Sequence, residues 1–574
     1  MTRARVQRRS ALWAQEKSAM SWLTVILIGW VLLSALSASG SETRAPGHDG
    51  PSRAALATMR RIAIQHNGRH KPFESFARET LIHIAGVSQL DGEDPVATVL
   101  SMIADPELWQ ARPLIAVPFI PLRDALGIDR KTPRISYDEL VSTKKLMRML
   151  PAIVGKQQRD EKLSMLEQET MDAYDRFVAL SMLIEQRLEL VPPPSAATDR
   201  TWLPILEPTG YAQAEQLRVR HAWTALLTAL RSRETHAIDE AALDLGGVLR
   251  SLNPSDYPVP WRLELEVFYD WCGPFRVARA LYALAALGLL LGLGRARRGA
   301  IPVGMGALWS AASVHAAGIA MRVVLGGRPP VSNFYETMLW LPFVAVVLAL
   351  IVERRGRVRY FGLAASILSA IVLLLADYVP LDSSISPVVA VLHNNLWLTI
   401  HVLTIVASYG ALALAAVLAH LYGWLFLRRR ERAALTSLDA LLYRAIQVGV
   451  VLLAGGIMLG AVWANASWGR YWGWDPKETW ALITLLWFLA VLHGRSAGWI
   501  AGVGLALSTL GGFFLLLMTY YGVSFYLVGL HSYAGGHAKP VPSLLIAYLI
   551  AELAFIAWVG WSALARRRPS PPAS

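Results

Sequence analysis

Residues 396–432 read LWLTIHVLTIVASYGALALAAVLAHLYGWLFLRRRER. The apolar run over 396–426 exceeds the roughly 17–25 residues that a helix needs to cross a bilayer. The arginines that stop it have the composition of a cytoplasmic span end. Working outward, comparable runs lie near 20–39, 276–294, 301–325, 335–352, 359–377, 443–463, 477–493, 497–519 and 542–564. The chain of 574 residues is 54% hydrophobic and 17% charged, with a mean hydropathy of +0.39. That is too apolar for a soluble protein of this size. The fold class expected is all-α: a polytopic membrane protein of about ten transmembrane helices with a helical extracytoplasmic domain.

Sidedness follows from charge. RARR (295–298), ERRGRVR (353–359), RRRER (428–432), HGR (493–495) and ARRR (565–568) fall on alternate ends of the runs, and with both termini they share one side, which the positive-inside rule makes cytoplasmic. The net charge of +13 is therefore read as topology, with the lipid bilayer as partner and no nucleic acid. The first run follows MTRARVQRRS and ends in ALSASGSE, so a signal peptide is the alternative; an uncleaved anchor keeps the alternation intact. The domains expected are a cytoplasmic tail and anchor (1–39), an extracytoplasmic helical domain (40–275), a multi-span domain (276–565) with a tryptophan-rich loop (465–476), and a cytoplasmic tail (566–574).

The segment 40–275 is charged throughout. KQQRDEKLSMLEQETMDAYDRFVALSMLIEQRLEL (156–190) has three-and-four apolar spacing and predicts one long amphipathic helix, and VPPPSAATD (191–199) predicts a break. His66, His70 and His83 read as ordinary surface or core histidines. Cys272 is the chain's one cysteine, which excludes an internal disulfide, a Cys-rich metal site and a dithiol shuttle within this chain.

The loop WGRYWGWDPKETW (468–480) lies between two spans on the extracytoplasmic side of this scheme. Asp475, Pro476 and Glu478 fit the N-cap, first and third positions of the following helix. An interfacial aromatic belt explains scattered tryptophan. It does not explain Gly469 and Gly473 alternating with Trp468, Trp472 and Trp474, which a planar apolar ligand at close approach does.

WGRYWGWDPKETWALIT (468–484) resembles the tryptophan-rich signature of haem-handling proteins of cytochrome c maturation, in the wording of the CcsA (ResC) subunit of the system II cytochrome c synthetase. SVHAAGIAMRVVLGGRPPVSNFYETM (313–338), LWLTIHVLTIVASYG (396–410) and GVSFYLVGLHSYAGG (522–536) resemble the family's other landmarks, in order. GRHKPFESFARETL (68–81) is similar to a segment of some fused synthetases. The resemblance implies haem b as substrate and bound cofactor, with Trp468, Gly469, Trp472, Gly473, Trp474 and Asp475 as its platform. It implies His401 and His531 as axial ligands of an outer haem and His493 as a ligand of a second haem nearer the cytoplasm, with His420, His315 and His393 as weaker candidates. Arg322 and Glu336 match family positions as well; Arg322 needs a partner, either a haem propionate or Glu336.

The function so implied is cytochrome c biogenesis at the bacterial inner membrane. Haem crosses the membrane, rests on the platform, and is presented for thioether attachment to the CxxCH motif of apocytochrome c. The implied partners are a CcsB (ResB)-like membrane protein, which supplies the missing intramembrane ligand, and a thioredoxin-like thiol reductant. The chain would be the haem-presenting part of a holocytochrome c synthetase. A haem exporter or chaperone without attachment activity uses the same residues, and an unrelated multi-span transporter is the third reading; the latter calls for polar residues at midmembrane.

Overall fold

The computed structural model describes residues 50–159, 161–293, 297–353, 359–379, 381–387, 396–531 and 541–567. The run near 20–39, His393, the residues after Arg567 and most of the RARR and ERRGRVR clusters lie outside the described residues. The chain divides into two compact units, one ending at Cys272 and the other beginning at Gly273.

Nine helices among the described residues are long and apolar enough to cross a membrane, and they coincide with nine of the runs expected. The second unit contains α1 (Pro274–Gly292), α2 (Arg297–Gly326), α3 (Phe334–Glu353), α4 (Tyr360–Tyr378), α5 (Leu396–Leu427), α6 (Arg432–Trp468), α7 (Pro476–Ser496), α8 (Val503–Leu517) and α9 (Ser543–Arg567). After α8 the chain passes through a π-helical turn, Met518–Gly522, into Val523–Tyr526. The protein is an all-α, multi-pass membrane protein. Two boundaries differ from the hydropathy reading. α6 begins at Arg432 rather than 443, because Asp439 in its early turns accepts from Arg495 and from the backbone N–H of Gly502 (2.9 Å), so a polar stretch is still helical. α8 begins at Val503 rather than 497, because Gly498 and Gly502 adopt φ of 76° and 55° and turn the chain there.

α5 and α6 pack along one another closely. A methyl group at Gly449 would run into Leu412, one at Gly456 into Ile405, and one at Gly460 into His401. Spacings of seven and four residues put these glycines on one face of α6. Lipid supplies no hydrophobic force between helices, so small residues that let backbones approach are what hold such a pair.

The first unit is a helical fold around a core containing Trp202, Trp223, Phe73 and Leu100. Three short antiparallel strand pairs, which the sequence reading did not anticipate, accompany the helices: Ala63–His66 with Arg69–Pro72, Pro113–Ala116 with Arg134–Ser136, and Glu189–Val191 with Leu203–Pro204. The first closes through Asn67 and Gly68, both at positive φ, as a two-residue hairpin requires. The long helix expected over 156–190 is two helices, Lys145–Gln158 and Met165–Ile184. Ser164 and Glu167 form a reciprocal capping box, which starts a new helix inside the periodic stretch. His66 is neutral at any physiological pH: burial, with Lys71 and His83 nearby, holds it down to about 4.

The segment 68–81 is fastened by charge. Arg69 donates to both carboxylate oxygens of Glu266 (2.7 and 2.6 Å), Ser75 donates to Asp270 (2.6 Å), and Lys71 pairs with Glu79. Breaking a buried pair strands a charge. Arg69→Leu is therefore expected to destabilise the protein by about 3–5 kcal/mol, while the double change Arg69→Leu, Glu266→Leu recovers most of the loss; thermal unfolding in detergent reads both.

Candidate functional site

The tryptophan-rich segment is shorter as a loop than the sequence suggested. α6 continues through Trp468 and is closed by Gly469 at φ 71°, the left-handed position that ends a helix. Arg470 to Trp474 then cross to α7. Gly473 accommodates the Arg470 guanidinium, with which a side chain there would collide. Trp474 holds φ 57° and is 71% exposed. A large side chain is rarely kept in that region without a use for it. Trp472 and Trp474 meet edge to face at 5.7 Å.

Asp475 caps α7, accepting from the Lys477 backbone N–H (2.9 Å), and Glu478 reaches back to the backbone N–H groups of Asp475 (3.2 Å) and Gly473 (2.8 Å). The capping box is thus the one read from the sequence. The same carboxylate does two further things that spacing did not reveal. It accepts from the Leu530 backbone N–H (2.7 Å) and from His531 Nδ1 (2.9 Å). Burial works against the Asp475 carboxylate, but the bonds from His531, Lys477 and Leu530 outweigh it and hold the group below its ordinary range. Lys477, one residue beyond the helix start, is satisfied by Ser524 Oγ (2.7 Å) and the carbonyl of Tyr520 (3.2 Å) in the π-helical turn. The first turn of α7 is thereby fixed to two segments distant in sequence.

His401 faces this assembly from α5. Its Nδ1 bonds the carbonyl of Gly456 (2.8 Å), and its ring lies over Gly460. A carbonyl only accepts, so Nδ1 carries the proton and neutral His401 has its lone pair on Nε2. The carboxylate partner imposes the same tautomer on neutral His531. Two imidazoles are therefore held by one nitrogen and left basic at the other, the arrangement in which protein ligands are oriented for a metal. Trp463, which the sequence reading passed over, borders both. Its ring is parallel to His401 (6.4 Å, 9°) and edge-on to His531 (6.3 Å) and Trp468 (4.6 Å), and Trp468 meets His531 at 6.2 Å. The available signal was its place on α6, five residues before Trp468 and on neither side of a glycine.

The other candidates are placed apart. Arg322 and Glu336 are buried together: Arg322 donates to Glu336 (3.0 Å), Arg328 donates to the other carboxylate oxygen (2.7 Å), and Tyr335 lies under the Arg322 guanidinium. Glu336, one of the two partners weighed for Arg322, is thus bonded to it. His493 is exposed in the last turn of α7, with Nδ1 on the Leu489 carbonyl (2.8 Å); seventeen residues of helix separate it from Pro476, about 26 Å at helical rise. His420 has both nitrogens engaged, Nδ1 by the Ala416 carbonyl and Nε2 by Glu552, each at 2.8 Å, so it has no free lone pair to offer. His315 is fully buried, bonded to Tyr282 (3.1 Å) and enclosed by Phe275 and Phe343. Among the described residues no three His, Cys, Asp or Glu side chains form a metal cluster.

A helical membrane unit with a capped tryptophan segment and two anchored imidazoles belongs to a recognisable class. The family model described as Cytochrome C assembly protein matches residues 331–531, which include α3 through His531. The chain is 34% identical over 247 residues to the cytochrome c biogenesis protein CcsA of Prochlorococcus marinus (strain MIT 9515), covering 38% of this chain and 78% of that protein. It is 33% identical over 254 residues to CcsA of Chlorella vulgaris, covering 38% and 80%. It is 31% identical over 503 residues to protein NrfI of Wolinella succinogenes, covering 82% of this chain and 54% of that protein, so it spans about half of NrfI's length. The chain belongs to the CcsA family of cytochrome c assembly proteins.

Because Asp475 both caps α7 and restrains His531, its substitutions separate the two duties. Asp475→Asn keeps a competent cap and loses the charge; Asp475→Ala loses both. The carboxyl is held below its unfolded value of 3.8, so its contribution is complete above that pH and fades as pH falls through the lower folded value. The difference in melting temperature between wild type and Asp475→Asn is expected to persist from pH 8 to 5 and to close below about pH 3.8.

Proposed function

We propose that the second unit binds haem b between His401 and His531, against Trp463, Trp468 and the Trp472–Trp474 pair, and presents it for thioether attachment to the CxxCH segment of apocytochrome c. The observation that carries the reading is the matched anchoring of the two imidazoles, each with Nδ1 tied to an acceptor and Nε2 left basic, around one cluster of indoles. Haem, when bound, supplies the iron that these nitrogens ligate and the vinyl groups that thiols add across. The chain's contribution is orientation: the α5–α6 seam fixes His401, the Asp475 carboxylate fixes His531, and the indoles line the apolar space beside them.

Charge alternation supports placing this site, residues 40–275 and the tryptophan segment outside the cytoplasm of a bacterial inner membrane, with both termini inside. His493 at the far end of α7 suits a second haem on the entry side. Its opposing ligand would come from a CcsB (ResB)-like protein, since His420 is engaged with Glu552 and His315 is closed in. Cys272 is the only cysteine, so the apocytochrome's thiols would be kept reduced by a separate thioredoxin-like protein.

Purified protein is expected to carry six-coordinate, bis-histidine haem. His401→Ala or His531→Ala should give a five-coordinate or mixed spectrum, and the double mutant should lose the outer haem. An unchanged spectrum in the double mutant would overturn the assignment. Expression with a reporter cytochrome in a host without its own maturation system separates attachment from export: covalent haem in the reporter supports attachment, and outer-site haem with no thioether points to an exporter or chaperone.

A further inference from the structure

Indole N–H groups buried in this protein have partners. Trp202 donates to Asp256 (3.0 Å), Trp223 to Gln186 (2.9 Å) and Trp109 to Ser101 (3.1 Å), and the half-buried Trp340 donates to the carbonyl of Leu403 (3.1 Å). Trp463 departs from this. It is 5% exposed, and its Nε1 is buried without a hydrogen-bond partner among the described residues. An orphaned buried donor is costly and calls for a reason. The nearby imidazoles do not supply the acceptor: Nδ1 of each is a donor committed elsewhere, in His401 to Gly456 and in His531 to Asp475, and neither free Nε2 lone pair is hydrogen-bonded to the indole. The donor lies in the same cluster as both candidate ligands, so an acceptor arriving with the ligand would satisfy it.

We propose that Trp463 is a positioning residue of the site and that its indole N–H donates to a carboxylate of the bound ligand, an inference that rests on the haem reading above. Haem narrows the choice of acceptor. Its pyrrole nitrogens are occupied by iron and its vinyl groups accept no hydrogen bond, which leaves the propionate carboxylates. A single fixed donor to one propionate sets the rotation of the macrocycle about the axis joining the two imidazoles. That rotation decides where the vinyl groups point, which neither axial ligand can determine. A charge-assisted bond out of water is also strong enough to hold it.

The test compares full-length wild type with Trp463→Phe, which keeps an aromatic ring and removes the N–H, both stripped of haem in detergent. Each is titrated with haem and with haem dimethyl ester, in which both carboxylates are masked. The variant should bind haem on the order of 5- to 100-fold more weakly, with the same bis-imidazole absorption spectrum, and should bind the diester as well as wild type does. Equal loss for haem and diester, or no loss for haem, would overturn the inference while leaving the haem site standing. Wild type that binds neither ligand with a two-imidazole spectrum would overturn both. Matched diester binding also shows that the variant is folded.

Discussion

One buried carboxylate joins the parts of this protein that sequence keeps apart. Asp475 closes the tryptophan segment, starts α7, and receives the Leu530 N–H and the His531 imidazole from a segment 55 residues further on. Each of those bonds is ordinary by itself. Together they mean that the cap of a membrane helix and the orientation of an imidazole are one event, so the aromatic segment cannot shift without turning His531. An Asp at such a helix start is usually accounted for by capping alone. Here the capping oxygen itself also receives His531, and the other oxygen takes the Leu530 N–H, so one carboxylate does both jobs.

The opposing constraint comes from α6. Three glycines admit α5 so closely that the His401 ring lies on the α6 backbone and bonds a carbonyl of it. The site is thus built from two kinds of restraint, a seam of small residues on one side and an anion on the other, with Trp463 in contact with both imidazoles. The Arg322–Glu336–Arg328 group is a third fixed element, at the start of α3, and it holds the loop ahead of that helix by accepting from the Ser332 backbone N–H as well (2.9 Å).

How much of this was legible depended on the range of the interaction. Hydropathy gave nine of the spans because membrane crossing is a property of a single run, and the Asp475–Pro476–Glu478 cap was legible because it acts within four residues. The His401 and His531 assignments came from resemblance, and neither the seam nor the carboxylate link that orients them could be read from spacing. Gly449, Gly456 and Gly460 sit in an apolar run where glycine is common, and their meaning appears only against Leu412, Ile405 and His401. Trp463 was invisible for the same reason: one more indole in a run already rich in them. Periodicity misled once, over 156–190, where the apolar pattern carries on across a capping box that divides it.

The two imidazoles differ in how they can let go. His401 belongs to a 32-residue helix pressed into a neighbour, and it cannot swing without prising two spans apart. His531 lies beyond the last helical turn of its segment, in a turn tethered through its side-chain bond to Asp475 and the adjacent Leu530 N–H. It can turn aside by surrendering one hydrogen bond. A guest clasped by both would therefore be released asymmetrically, with His531 as the gate and His401 as the post, and an incoming chain that competes for one face would find the yielding side at His531.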